Sequence, residues 1–156
     1  MKRFLSRKNS VLALLSMLLL SPMSLWAHHT ESHFDDRSPH KVVYQLNKAD
    51  PAYHDHILFS VGAVLRKYGD DVEIVVEVFA EGIHLLAKNP KRPVSEKVQQ
   101  KVRSLADYGV AFHACENTMK SLQWEQKDMV DFAKVVPSGA DDLMLLQERG
   151  FSYISW

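Results

Sequence analysis

Short runs rich in β-branched and aromatic residues alternate along this chain with stretches whose apolar residues recur at helical spacing. That alternation restricts the fold more than any single motif. The run Lys41-Val42-Val43-Tyr44-Gln45-Leu46-Asn47 reads as a strand. Tyr53, Ile57, Val61, Val64, Leu65 and Tyr68 then repeat with the period of a helix that Gly69 stops. Residues 72–79 form a second strand pattern and residues 110–114 a third. Between them Pro93 and Ser95 open a helix with the apolar face Val94, Val98, Val102, Leu105 and Ala106, ended by Gly109. A short helix is expected over 117–122 with Asn117 or Thr118 as its cap, and residues 132–136 read as a fourth strand. Ser138, three residues before Asp141, marks a capping-box variant opening a last helix that ends at Gly150, and 151–156 reads as an edge strand. Residues 124–131 show no clear period. Strands alternating with helices predict an α/β fold: a mostly parallel sheet of about five strands with helices on both faces, because parallel crossovers need long connections.

The first 27 residues have a different character. Lys2, Arg3, Arg7 and Lys8 come without an acid, an apolar stretch covers 11–20, and Pro22 begins a short region ending at Trp26-Ala27. This is the order of a secretory signal peptide, with an apolar core shorter than the roughly 20 residues of a membrane-spanning helix. Export to the periplasm or exterior is expected, with cleavage after Ala27; Leu25 at the minus-three position is larger than usual there, so an uncleaved anchor is the alternative. No cysteine lies near the junction, which removes the lipid-anchored form.

Without those residues the chain has 129 residues, with 15 basic against 19 acidic, a formal charge of −4. A mildly acidic domain lacks the basic stripe that nucleic acid requires, and no membrane partner is expected once the leader is gone. Residues 28–40, HHTESHFDDRSPH, are polar and without period, so they read as a flexible arm, followed by one domain over 41–156. The arm holds half of the eight histidines. An α-amino group beside His28 and His29 could hold Cu²⁺ or Zn²⁺; the plainer alternative is a solvated tail. No spacing elsewhere supports a structured metal site, and no cofactor is implied.

In parallel sheets chemistry collects at the carboxyl ends of the strands. The residues expected there are Asn47, then Glu81, Gly82 and His84, then Cys115 and Asn117 with Thr118, then Ser138 and Gly139. Cys115 is the only cysteine and stands where a strand gives way to a helix. Free N–H groups and a helix dipole at such a junction favour the thiolate, the reactive form of sulfur. The alternative is a buried cysteine packed as a small hydrophobe. For His84 the readings are a proton shuttle beside the thiol or a histidine packed beside Leu85 and Leu86; for Asn47 the alternative to a site role is a strand end, and Ser138 is accounted for as a cap. His113 lies inside a strand and reads as structural. A Gly-rich phosphate loop, a Gly-x-Ser-x-Gly elbow and a Cys-x-x-Cys pair are all missing from the sequence, so nucleotide hydrolysis, esterase chemistry and thioredoxin-type exchange lack their parts.

The first strand ending in Leu46-Asn47, the Val-Glu-Val-Phe-Ala-Glu-Gly turn through Gly82, the segment Gly109-Val110-Ala111-Phe112-His113-Ala114-Cys115-Glu116-Asn117-Thr118-Met119, the Val135-Val136-Pro137-Ser138-Gly139 junction and the closing Gly150-Phe151-Ser152-Tyr153-Ile154 strand resemble the DsrE/DsrF-like family. The resemblance implies a flavodoxin-like three-layer subunit that assembles into homotrimers or hexamers. It also implies that a cysteine takes up sulfane sulfur as a persulfide and passes it to an acceptor thiol, a role that falls by position on Cys115. An exported persulfide carrier or sulfurtransferase-like protein is therefore expected; the alternative is a non-catalytic oligomer that binds a small ligand or metal in the same cleft.

Overall fold

The computed structural model describes residues 38–156. The expected leader and the expected arm through residue 37 lie outside the described residues. Strand β1 (His40–Leu46) leads into helix α1 (Pro51–Tyr68), β2 (Val72–Val78), a 3-10 turn (Ala80–Leu86), α2 (Glu96–Asp107), β3 (Ala111–Cys115), α3 (Glu116–Ser121), β4 (Ala133–Val136), α4 (Gly139–Glu148) and β5 (Ser152–Ile154). The sheet order is β4-β3-β2-β1-β5, and every neighbouring pair is parallel. The α/β class and parallel sheet expected from the alternation are what the chain adopts.

Element boundaries follow local chemistry. Asp50 caps α1 by accepting the Tyr53 N–H at 2.8 Å, with Pro51 at the first helical position. Gly69 ends the helix at φ 55, in the left-handed region that costs a residue with a Cβ. Ser95 caps α2 by accepting the Val98 N–H at 3.3 Å, and Val98, Val102 and Leu105 bury the helix's apolar face. Val94, expected on that face, lies ahead of the helix. His40, expected in the arm, instead pairs with Val72 as the first residue of β1.

The sheet has two unequal faces. On one, α1 and α2 cover Val42, Tyr44, Leu46, Ile74, Val76, Val78, Phe112 and Ala114, an apolar layer closed further by Ile57, Leu58, Val61 and Val102. Fully burying such a side chain stabilises by about 1.5–3 kcal/mol, so most of the fold's hydrophobic stabilisation lies here. On the other face α4 lies over a smaller cluster of Val43, Val75, Leu143, Leu146 and Phe151. Residues two apart on a strand share a face, so Glu77 on β2, paired with His113 on β3, also faces α4.

Gly82 has a steric role. A Cβ there would collide with the Leu46 carbonyl oxygen and come within 2.7 Å of Leu46 Cδ2, because the 3-10 turn crosses directly over the end of β1. The crossing is held by the Phe79 N–H donating to Leu46 O at 3.2 Å and the Gly82 N–H donating to Phe79 O at 3.0 Å. Gly82→Ala is expected to destabilise the fold by about 1–3 kcal/mol through overpacking, seen as a lower urea midpoint. An unchanged midpoint would mean that the turn can lift off β1 at no cost.

Candidate functional site

Cys115 is the last residue of β3 and the N-cap of α3. The cap expected at Asn117 or Thr118 therefore falls on the cysteine itself, with those two residues inside the first turn. The residue is 6% exposed, more enclosed than its position at the rim of the sheet would suggest. Burial pushes the thiol's pKa up, but the Thr118 hydroxyl and the backbone N–H groups of Gly139, Thr118 and Asn117 outweigh it, leaving the pKa below its ordinary value. No capping hydrogen bond is closed on the neutral thiol. The donors are oriented for a negative sulfur, so they come into play when the proton leaves.

Two helices supply those donors. Asn117 and Thr118 belong to the start of α3, and Gly139 is the first residue of α4. Thr118 is fixed from behind, its Oγ1 accepting the Ala80 N–H at 3.1 Å. With a lone pair so engaged, the hydroxyl proton is free for the sulfur. Ala80 holds this contact from φ 48, a conformation costing a non-glycine residue about 1–2 kcal/mol. Gly139 is required by close approach: a Cβ would come 2.8 Å from Glu77 Oε1 and 3.0 Å from Phe79 Cδ1. Ser138 occupies the N-cap position of α4, but its side chain closes no capping hydrogen bond, so the expected capping box does not form.

The other expected members lie elsewhere. Asn47 follows β1, with its Oδ1 3.1 Å from the Tyr53 hydroxyl, and braces the start of α1 beyond a strand separated from β3 by β2. His84 is buried and packs edge-on against Trp124 at 5.1 Å between ring centres, among Arg92, Lys91 and Glu81. Burial, then the Arg92 and Lys91 charges, hold it neutral. These surroundings do not connect His84 with Cys115.

His113 is the imidazole on the thiol's face, two residues back along β3. Its Nδ1 lies 2.6 Å from Asp142 Oδ2 and 3.4 Å from Glu77 Oε2. Neither oxygen of the fully buried Glu77 receives a hydrogen bond. Burial first, then the neighbouring Asp142 carboxylate, push its pKa up to about 10, so it is a neutral acid held close to Asp142. Burial opposes charge on Asp142, but the acid proton of the neighbouring Glu77 and the hydrogen bond from His113 outweigh it and hold its carboxyl below the usual range. Burial keeps His113 neutral against the pull of Asp142. The three groups thus share a single negative charge, and Glu77 is further raised by the Cys115 sulfur. The sequence pattern passed over Glu77 and Asp142. A signal existed in Glu77: an acid amid the Val-Glu-Val run of a central parallel strand, which is covered on both faces, is out of place unless used.

The DsrE/DsrF-like family model matches residues 40–156. The chain belongs to the DsrE/DsrF-like family. Among solved structures, MTH1491 of Methanobacterium thermoautotrophicum, a protein of unknown function, is similar with a TM-score of 0.67 at 23% identity, over 75% of this chain and 99% of that one. The YchN protein of E. coli is similar with a TM-score of 0.56 at 13% identity, again over 75% of this chain and 99% of the other. At such identities the likeness establishes the fold. No curated protein matches the sequence. The family suggests work of the sulfur-relay type.

Thr118→Val removes the hydroxyl from the sulfur. Losing a hydrogen bond to a charged group, worth about 1.5–3 kcal/mol, is expected to slow alkylation of Cys115 at neutral pH by about tenfold or more. Thr118→Ser should restore the rate. Equal rates in wild type and Thr118→Val would remove the hydroxyl from the site's chemistry.

Proposed function

We propose that this protein carries sulfane sulfur on Cys115. What supports this reading most is the convergence of donors from the starts of α3 and α4 on one sulfur, in a family associated with sulfur relay. The Cys115 thiolate attacks the outer sulfur of a donor such as thiosulfate or polysulfide. A new S–S bond forms, the donor's own S–S bond breaks, and sulfite or a shortened polysulfide leaves with the electron pair. The product, Cys–S–S⁻, has the same charge as the thiolate it replaces, so the same N–H groups serve it. A thiolate of the acceptor then attacks the outer sulfur and regenerates Cys115 thiolate. One cysteine is sufficient because the second thiol belongs to the acceptor.

The surroundings of this chemistry are part of the same reading. The basic and apolar order of residues 1–27 favours work in the periplasm or outside the cell, and the family resemblance favours a homotrimer or hexamer. Among the described residues no helix is long and apolar enough to cross a membrane.

Intact-mass measurement after incubation with polysulfide or thiosulfate tests the proposal. The wild-type protein should gain one sulfur that a small thiol removes, and Cys115→Ser should gain none. No gain in wild type, or the same gain in Cys115→Ser, would end the carrier reading.

A further inference from the structure

We infer that Glu77, His113 and Asp142 form a binding site for a divalent transition-metal ion of the Zn²⁺ type, beneath α4 and on the same face of the sheet as Cys115. One ligand atom from each residue lies within 4.8 Å of the other two. Tetrahedral Zn²⁺ bound to nitrogen and oxygen at about 2.0–2.2 Å places its ligand atoms roughly 3.4 Å apart. The His113 Nδ1 to Glu77 Oε2 separation of 3.4 Å already has that value. The His113 to Asp142 contact, at 2.6 Å, is a hydrogen bond that opens when its proton is displaced. Asp142 can move, because its side chain is partly exposed on the first turn of α4 while the other two are held in the sheet.

The buried Glu77 is the observation that asks for a ligand. Both its oxygens are enclosed without a hydrogen-bond donor, an arrangement that native interiors avoid. A cation supplies what those oxygens lack. Two carboxylates and a neutral imidazole also balance a divalent ion, leaving no net charge in a buried place. Binding displaces the proton of Glu77 to solvent and moves the His113 proton from Nδ1 to Nε2, so about one proton is released per ion. An imidazole with two carboxylates suits Zn²⁺ or Co²⁺ better than Mg²⁺ or Ca²⁺, which prefer all-oxygen sets. Lys134, which pairs with His113 from β4, is exposed, so water screens its opposition to a cation.

The inference does not depend on the persulfide reading, and the test separates the two. Histidines of the arm would bind the same ions, so the background is the protein carrying His28→Ala, His29→Ala and His33→Ala. Equilibrium dialysis with Zn²⁺, and visible spectra with Co²⁺, are measured in this background and after adding Glu77→Gln, Asp142→Ala or Cys115→Ser. One equivalent should bind in the background, raise the Tm and release about one proton. Cys115→Ser should keep the ion even if it abolishes sulfur uptake. Glu77→Gln, which preserves the size and neutral form of the buried acid, and Asp142→Ala should each lose affinity by more than the roughly 10- to 100-fold that an outer-sphere partner is worth. If either variant fails to fold, the other decides. No ion bound in the background, or undiminished affinity in the folded variants, would overturn the site and leave a proton-sharing Glu–His–Asp cluster in its place.

Discussion

The period of two along a β-strand is the constraint on which this site depends. Because side chains two apart share a face, His113 and Cys115 project together from β3, and the register of β2 sets Glu77 beside His113. A slip of one residue would turn all three into the apolar layer beneath α1 and α2. That layer holds the register: Phe112 and Ala114 alternate with the functional residues and are buried among Val76, Val78 and Leu86. The chemistry on one face is therefore positioned by hydrophobic packing on the other.

The two faces divide the work between stability and function. The buried strand residues under α1 and α2 are all apolar, whereas the side under α4 admits Glu73, Glu77 and His113 among its buried residues. Polar groups inside a protein are costly unless partnered, and here they are tolerated because the opposite layer supplies the hydrophobic stabilisation. Backbone strain lies near the sulfur as well: Ala80 adopts a left-handed conformation whose N–H holds Thr118, a kind of position that persists where surrounding structure over-determines it. The glycine at 139, without a Cβ, lets α4 come down onto Glu77.

Much of the fold was legible in the chain because its signals are local. Gly69 and Ser95 end and begin helices for reasons contained in a few residues, and the β-branched runs identify themselves. Cys115 was legible for the same reason, standing at a visible junction of strand and helix. The partners were harder to read. His84 and Asn47 lie at the strand ends where a cleft was expected, yet His84 turns to Trp124 and Asn47 to Tyr53. Gly82 resembled a site residue and proved to be a crossing point, since nothing local announces that another strand's carbonyl lies against it. His113 reads along the chain as a structural strand residue, yet it shares the face of Cys115, and Asp142, 29 residues away, gives it a companion that no pattern along β3 contains.

The sequence by itself determined the order of strands and helices, the parallel class of the sheet and the one sulfur available for chemistry, because periodicity, capping and residue identity are properties of neighbours along the chain. Only the tertiary structure decided what surrounds that sulfur. The descent of α4 onto the sheet brings the Gly139 N–H to Cys115 and Asp142 to His113 and Glu77, and the same burial makes Glu77 a neutral acid. Electrostatics inside a protein are set by distance and desolvation, and both exist only once the chain has closed on itself.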